Sequence, residues 1–144
     1  MHAAEQKEER NCHTKSHFHV AFTFIMKIIK LKSNRDFRRV YQKGKSYVCP
    51  YFVVYVNPKR SGEIRLGITV GKKIGNAVKR NRAKRVITAA FRAVYPHLSA
   101  GTDFVIVART RILDVKSTKV EALLSKILSD NGALQSQTNE KTVN

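Results

Sequence analysis

Five cations crowd into seven positions at 79–85, in the stretch KRNRAKR. Lys79, Arg80, Arg82, Lys84 and Arg85 are anion binders by chemistry, since ammonium and guanidinium groups donate charge-assisted hydrogen bonds to phosphate. The preceding GKKIGN, 71–76, adds Lys72 and Lys73 and two glycines that let the backbone approach a ligand closely. From 72 to 92 there are eight cations and no acid. The stretch reads as the first turns of a helix, where free N–H groups and the macrodipole already attract anions. Cations placed there repel one another unless an anion lies between them, and an RNA backbone supplies that anion. A merely solvated face would mix both signs of charge.

Other chemistry is sparse. Within 27–128 the acids are Asp36, Glu63, Asp103, Asp114 and Glu121, spaced singly, whereas a two-metal nuclease needs clustered carboxylates. His97 is the one histidine of that stretch, and no general acid–base pair is apparent. Cys12, His13, His17 and His19 have the ligand types to grip a metal, but a loose extension with coincidental histidines is the expectation. Cys12 and Cys49 stand far apart. They make neither a disulfide framework nor a zinc ribbon, so a reducing compartment is expected.

The net charge is +18, from 28 Lys and Arg against 10 acids. That balance points to a polyanionic partner, most simply nucleic acid. No run reaches the roughly 18 apolar residues of a membrane span. The N-terminal run VAFTFIM is short, follows Glu5, Glu8 and Glu9, and has no cleavage site after it. A cytoplasmic protein with no membrane partner is therefore expected. The 144 residues, 42% apolar, suit one domain. Residues 1–25 are expected to be an extension preceding a functional start at Met26, 26–128 the RNA-binding domain, and 129–144 a polar tail.

The elements that must position these residues follow from pattern. SNRDFRRVYQKG, 33–44, predicts a helix with Ser33 and Asp36 as a capping box and Gly44 as its stop. Phe37, Val40 and Tyr41 share one face of it. YVCPYFVVYV, 47–56, predicts a strand, with Pro50 marking an edge or its true start. Its alternation places Val48, Phe52, Val54 and Val56 on one face and Tyr47, Tyr51, Val53 and Tyr55 on the other. EIRLGITV, 63–70, predicts a strand with Ile64, Leu66, Ile68 and Val70 inward and Arg65, Gly67 and Thr69 outward. The two strands are expected to form a hairpin with a long basic loop. A helix over 77–95 carries the stripe Ala83, Val86, Ile87, Ala90, Phe91 and Val94 and ends at Pro96. Asn81, Arg85 and Arg92 project opposite the stripe, and Arg82 and Lys84 flank it. Lys79 and Arg80 project on the stripe side, so the first turn must protrude past the core, because an unpaired buried charge costs several kcal/mol. DFVIVAR, 103–109, predicts a buried strand. A last helix, 118–128, begins with Thr118 and Glu121 in capping-box spacing and buries Val120, Leu123, Leu124, Ile127 and Leu128. The order α-β-β-α-β-α predicts an α+β fold, a small two-layer α/β sandwich with helices packed on a mixed sheet.

Phe37 and Tyr41 of the first helix could meet Tyr51 and Tyr55 of the strand as an aromatic groove for single-stranded nucleic acid. By pattern alone core packing comes first for these rings.

GKKIGNAVKRNRAKRVITAAFR, 71–92, resembles the signature of the bacterial ribonuclease P protein family, with Arg80-Asn81-Arg82 as its RNR core. NRDFRRVYQKGKSY, 34–47, and DFVIVAR are similar to the family's first helix and last strand, and the likeness spans about 27–128. The resemblance implies a ribosomal protein S5 domain 2-like fold with a left-handed βαβ crossover, against the usual rule of handedness. It implies a protein subunit that binds the catalytic RNA and the 5′ leader of precursor tRNA and assists leader removal. No catalytic residue is then expected in the protein, and magnesium is used by the RNA. Lys72, Lys73, Asn76, Lys79, Arg80, Asn81, Arg82, Lys84 and Arg85 would bind the catalytic RNA. Phe37, Tyr41, Val53 and Tyr55 would line the leader cleft, which reverses the preference for core packing. No obligate protein partner is implied. A ribosomal or general RNA-binding protein and a protein-only nuclease are the competing classes.

Overall fold

The computed structural model describes residues 28–59 and 62–134. Residues 1–25, with Cys12, His13, His17 and His19, lie outside the described residues. In chain order the elements are β1 (Ile29–Lys30), α1 (Asn34–Lys43), β2 (Lys45–Val48), β3 (Phe52–Pro58), β4 (Arg65–Thr69), α2 (Ala77–Val94), β5 (Thr102–Ala108) and α3 (Ser117–Asp130). Short 3₁₀ turns occupy Lys72–Ile74, Tyr95–His97 and Thr110–Asp114. The strands form one mixed sheet in the order β1-β4-β5-β3-β2. The α+β class with helices packed on a mixed sheet is as expected.

The strand order departs from the expected hairpin. β3 and β4 do not pair, because β5 lies between them, antiparallel to β3 (Val54↔Ile106) and parallel to β4 (Leu66↔Phe104). The reason is burial: β5 is the most continuously buried strand, and the centre of the sheet is where an apolar run loses most water. The outer edge of β4 pairs in parallel with β1 (Ile29↔Arg65), a two-residue strand too short to leave a period in the sequence. The hairpin that does form is β2–β3, turning at Cys49-Pro50-Tyr51, with Cys49 N–H donating to the Phe52 carbonyl at 2.9 Å.

That turn also resets the alternation assumed across Pro50. Tyr47 lies opposite Val54 and Val48 opposite Val53, and directly paired residues share a face. Tyr47 and Tyr51 therefore pack against the main core, while Val48 joins Val53 on the other face and is 68% exposed. The expected faces hold from Phe52 onward and are inverted before it.

The main core lies between the sheet and the paired helices α2 and α3. Ala83, Ile87, Ala90, Phe91 and Val94 of α2 and Val120, Leu124 and Leu128 of α3 are buried, and Phe91 meets Phe104 of β5 edge-on at 5.4 Å. Each large side chain so buried contributes roughly 1.5–3 kcal/mol. α3 starts at Ser117 behind Lys116 with no side-chain cap, so the Thr118–Glu121 capping box does not form. The helix is held by its apolar docking instead. It runs on to Asp130, Ala133 N–H bonds the Leu128 carbonyl at 3.0 Å, and Leu134 bridges Leu98. The polar tail expected from 129 is thus helical or paired through 134. Among the described residues no helix is long and apolar enough to cross a membrane.

α1 sits alone on the opposite face. Ser33 caps it by accepting from Arg35 N–H at 3.2 Å, and Gly44 ends it by donating to the Val40 carbonyl at 2.8 Å. Val40 is buried in a second, smaller cluster with Leu31 and Val105, flanked by Phe37, Tyr55 and Val107.

Candidate nucleic-acid interface

One helix does not cover a five-stranded face. The strip left open beside α1 is a groove with an apolar floor: Val48, Val53 and Val107 at neighbouring register positions, and Tyr55 beside them. Val53, Tyr55 and Val107 are half-buried. The wall is α1, which presents Phe37, half-buried, and Tyr41, 38% exposed. Tyr41 meets Tyr55 edge-on, with ring centroids 4.8 Å apart and planes at 87°. Its hydroxyl shares a 3.1 Å hydrogen bond with Thr69 Oγ1. Phe37, Tyr41, Val53 and Tyr55 are thus brought together. Tyr51 is not among them: it lies on the far side of the sheet, where Lys119 Nζ stands 5.8 Å from its ring centroid. Val48, Thr69 and Val107 join the groove although the motif reading did not include them. The outward parity of Thr69 on its strand was the available signal. Half-exposed rings over an apolar floor suit stacking by bases, worth roughly 1–3 kcal/mol each.

The second surface is the start of α2. Gly75 adopts φ +132°, a conformation that disfavours other residues, and turns the chain from the 3₁₀ turn into the helix. Asn76 then caps α2, its side-chain oxygen accepting from Lys79 N–H at 3.1 Å. Asn76 therefore has a structural task, and its exposed amide nitrogen keeps both N–H donors for a partner. Lys72, Lys73, Lys79, Asn81, Arg82, Lys84 and Arg85 are exposed, and so is Val78 among them, at 72%. Arg80 is half-buried, and its Nε is shielded from water with no hydrogen-bond partner among the described residues. The expected protrusion of the first turn is present for Lys79 and only partial for Arg80.

The two surfaces are joined. A depression of about 710 Å³ at the C-terminal ends of β4 and β5 shares Thr69 and Val107 with the groove and is rimmed by Lys72, Lys73, Arg109 and Arg111. Arg109 and Arg111 follow an apolar strand in sequence, which gave no reason to group them with the basic helix. Only the parallel β4–β5 pairing brings the two strand ends side by side.

The carboxylates are not all single. Asp103, at the start of β5 and 0% exposed, accepts from Arg65 Nε and Nη2, each at 2.8 Å, and pairs with Lys59. Arg65 Nη1 reaches Asp36 of α1 at 3.2 Å. Burial pushes the Asp103 carboxyl up, but hydrogen bonds from Arg65 and Lys59 outweigh it and hold the group below the usual carboxylate range. Hydrogen bonding to Asp103 raises Arg65 in turn. The capping box expected of Asp36 is replaced by this ion pair.

The Ribonuclease P family model matches residues 25–131. A ribonuclease P protein component of Staphylococcus aureus is 40% identical over 105 residues, covering 72% of this chain and 89% of its own length. One from Shouchella clausii is 39% identical over 100 residues, covering 69% and 82%. Among solved structures, the RNase P protein of Staphylococcus aureus matches with a TM-score of 0.65 at 35% identity, over 75% of this chain and 99% of that one. The protein from Thermotoga maritima matches at 0.62 and 31%, over 70% and 96%. With the family signature carried on an exposed helix beside an aromatic groove, the chain belongs to the family of ribonuclease P protein components, the protein subunits of the endoribonuclease that processes tRNA 5′ ends.

Proposed function

We propose that the two joined surfaces divide the recognition of RNA: the basic start of α2 docks on the catalytic RNA, and the groove beside α1 receives the single-stranded 5′ leader of precursor tRNA. The observation that carries this is that one domain presents two adjoining surfaces of different chemistry. The cations of α2 form a phosphate-binding surface, while the groove offers π-faces and an apolar floor, which suit unpaired bases. Arg109 and Arg111 would neutralise the leader backbone where the groove meets the basic surface, while Lys72 and Lys73 stay with the catalytic RNA. The protein's contribution is binding and orientation. Asp36 and Asp103 are committed to Arg65 and Lys59, and the chain offers no grouped ligand set of its own among the described residues. In this reading magnesium would be held by the RNA and would supply the hydrolytic chemistry there. We place this work in the cytoplasm, where precursor tRNA is made.

Reconstitution tests the assignment. Purified protein alone should leave precursor tRNA intact, and added catalytic RNA should cut it at magnesium concentrations where RNA alone is slow. Phe37→Ala in that holoenzyme should weaken binding of leader-bearing substrate roughly tenfold, the loss of one stacked base, and leave mature tRNA unchanged. Equal losses for both substrates would favour general RNA binding. Cleavage by RNA-free protein would favour a protein nuclease.

A further inference from the structure

α1 touches β4 at three successive outward positions. Asp36 is held by Arg65, Phe37 lies on Gly67, and Tyr41 bonds Thr69. Position 67 is a notch. A Cβ there would stand 2.5 Å from Phe37 Cε1, 2.7 Å from its Cζ and 3.1 Å from Leu31 Cδ1, so any other residue must displace the ring. Arg65 is in turn fixed to the buried Asp103 by two hydrogen bonds, which makes it a rigid post for Asp36 rather than a mobile surface cation.

We propose that Gly67 and Arg65 are positioning residues for the groove: they set how low α1 sits over β4, and so the distance between the Phe37–Tyr41 wall and the Val53–Tyr55 floor. The inference rests on the groove being the leader's seat. A raised α1 pulls Tyr41 away from both Tyr55 and Thr69, and the wall no longer closes on a stacked base. Packed elements transmit such shifts because interiors are dense and do not deform smoothly.

The test uses holoenzyme reconstituted with catalytic RNA and compares affinities for precursor and mature tRNA. Gly67→Ala should lower affinity for leader-bearing substrate on the order of tenfold, as small misplacements of binding groups do, with mature tRNA and assembly with the RNA unchanged. Asp36→Asn frees the helix end while leaving the Arg65–Asp103 pair intact, and should cost about threefold in the same ratio, the worth of a partly exposed ion pair. Tyr55→Ala checks the groove itself. If Tyr55→Ala loses leader discrimination while Gly67→Ala and Asp36→Asn keep it, the positioning proposal is overturned and the groove reading stands. If Tyr55→Ala keeps it as well, both fall. Should Gly67→Ala not fold, Asp36→Asn decides: a loss confined to leader-bearing substrate supports the proposal, and an unchanged ratio overturns it.

Discussion

Arg80→Ala combined with Arg82→Ala is expected to weaken assembly with the catalytic RNA by at least about a hundredfold, since each charge-assisted bond to phosphate is worth roughly 1.5–3 kcal/mol. The salt dependence should change with it. Each phosphate contact contributes roughly 0.7–0.9 to the slope of log affinity against log salt, so the double variant should be shallower by about 1.5. The fold should survive, because α2 is anchored by Ala83, Ile87, Ala90, Phe91 and Val94, none of which is replaced. Arg82 is exposed and Arg80 half-buried. Lys126, exposed on α3 away from the motif, is the control, and its replacement by alanine should leave both affinity and slope nearly unchanged. A double variant with an unaltered slope would mean that the arginines make no phosphate contact.

The second large effect concerns stability. Asp103→Asn should destabilise the domain by about 3 kcal/mol, because it leaves the Arg65 and Lys59 charges facing a neutral amide at the buried Asp103 position. For a domain of this size that is a fall in melting temperature of roughly 10–20 °C. The pH dependence follows from the direction of the shift. The folded carboxyl lies below its ordinary value, so its contribution is fully present above the usual carboxylate range. It is lost as pH falls from about 4 through the folded value. The native protein should therefore lose stability on acidification below about pH 4, and the Asn variant should lose less over the same interval. Denaturant melts at neutral pH and near pH 3 measure both arms. Equal stability of the two proteins at neutral pH would show that the cluster contributes nothing net. The cluster's position explains why much depends on it. It ties the segment after β3, through Lys59, to β4 through Arg65 and to α1 through Asp36.

Most of the elements were legible because their determinants are local. Ser33 and Gly44 bound α1, the period-3.6 stripe marks α2, and the apolar run of β5 announces a buried strand. The basic signature was equally plain, since charge density at a helix start needs no partner to be recognised. Asn76 carries a local task as well, since its side-chain oxygen caps the helix and leaves its amide N–H groups exposed.

What the sequence by itself determined, then, are the helices, the strands from Phe52 onward, and the basic character of the 72–92 segment. Tertiary structure alone decided the strand order, the side on which Tyr47, Val48 and Tyr51 lie, the pairing of Asp36 and Asp103 through Arg65, and the joining of Arg109 and Arg111 to the basic helix. The physical reason is range. Helix caps and stripes are settled by residues within a turn of one another. Register across Pro50 depends on a turn that breaks the period, and the insertion of β5 between β3 and β4 brings together residues some 40 positions apart, such as Arg65 and Asp103, whose contact no local pattern encodes.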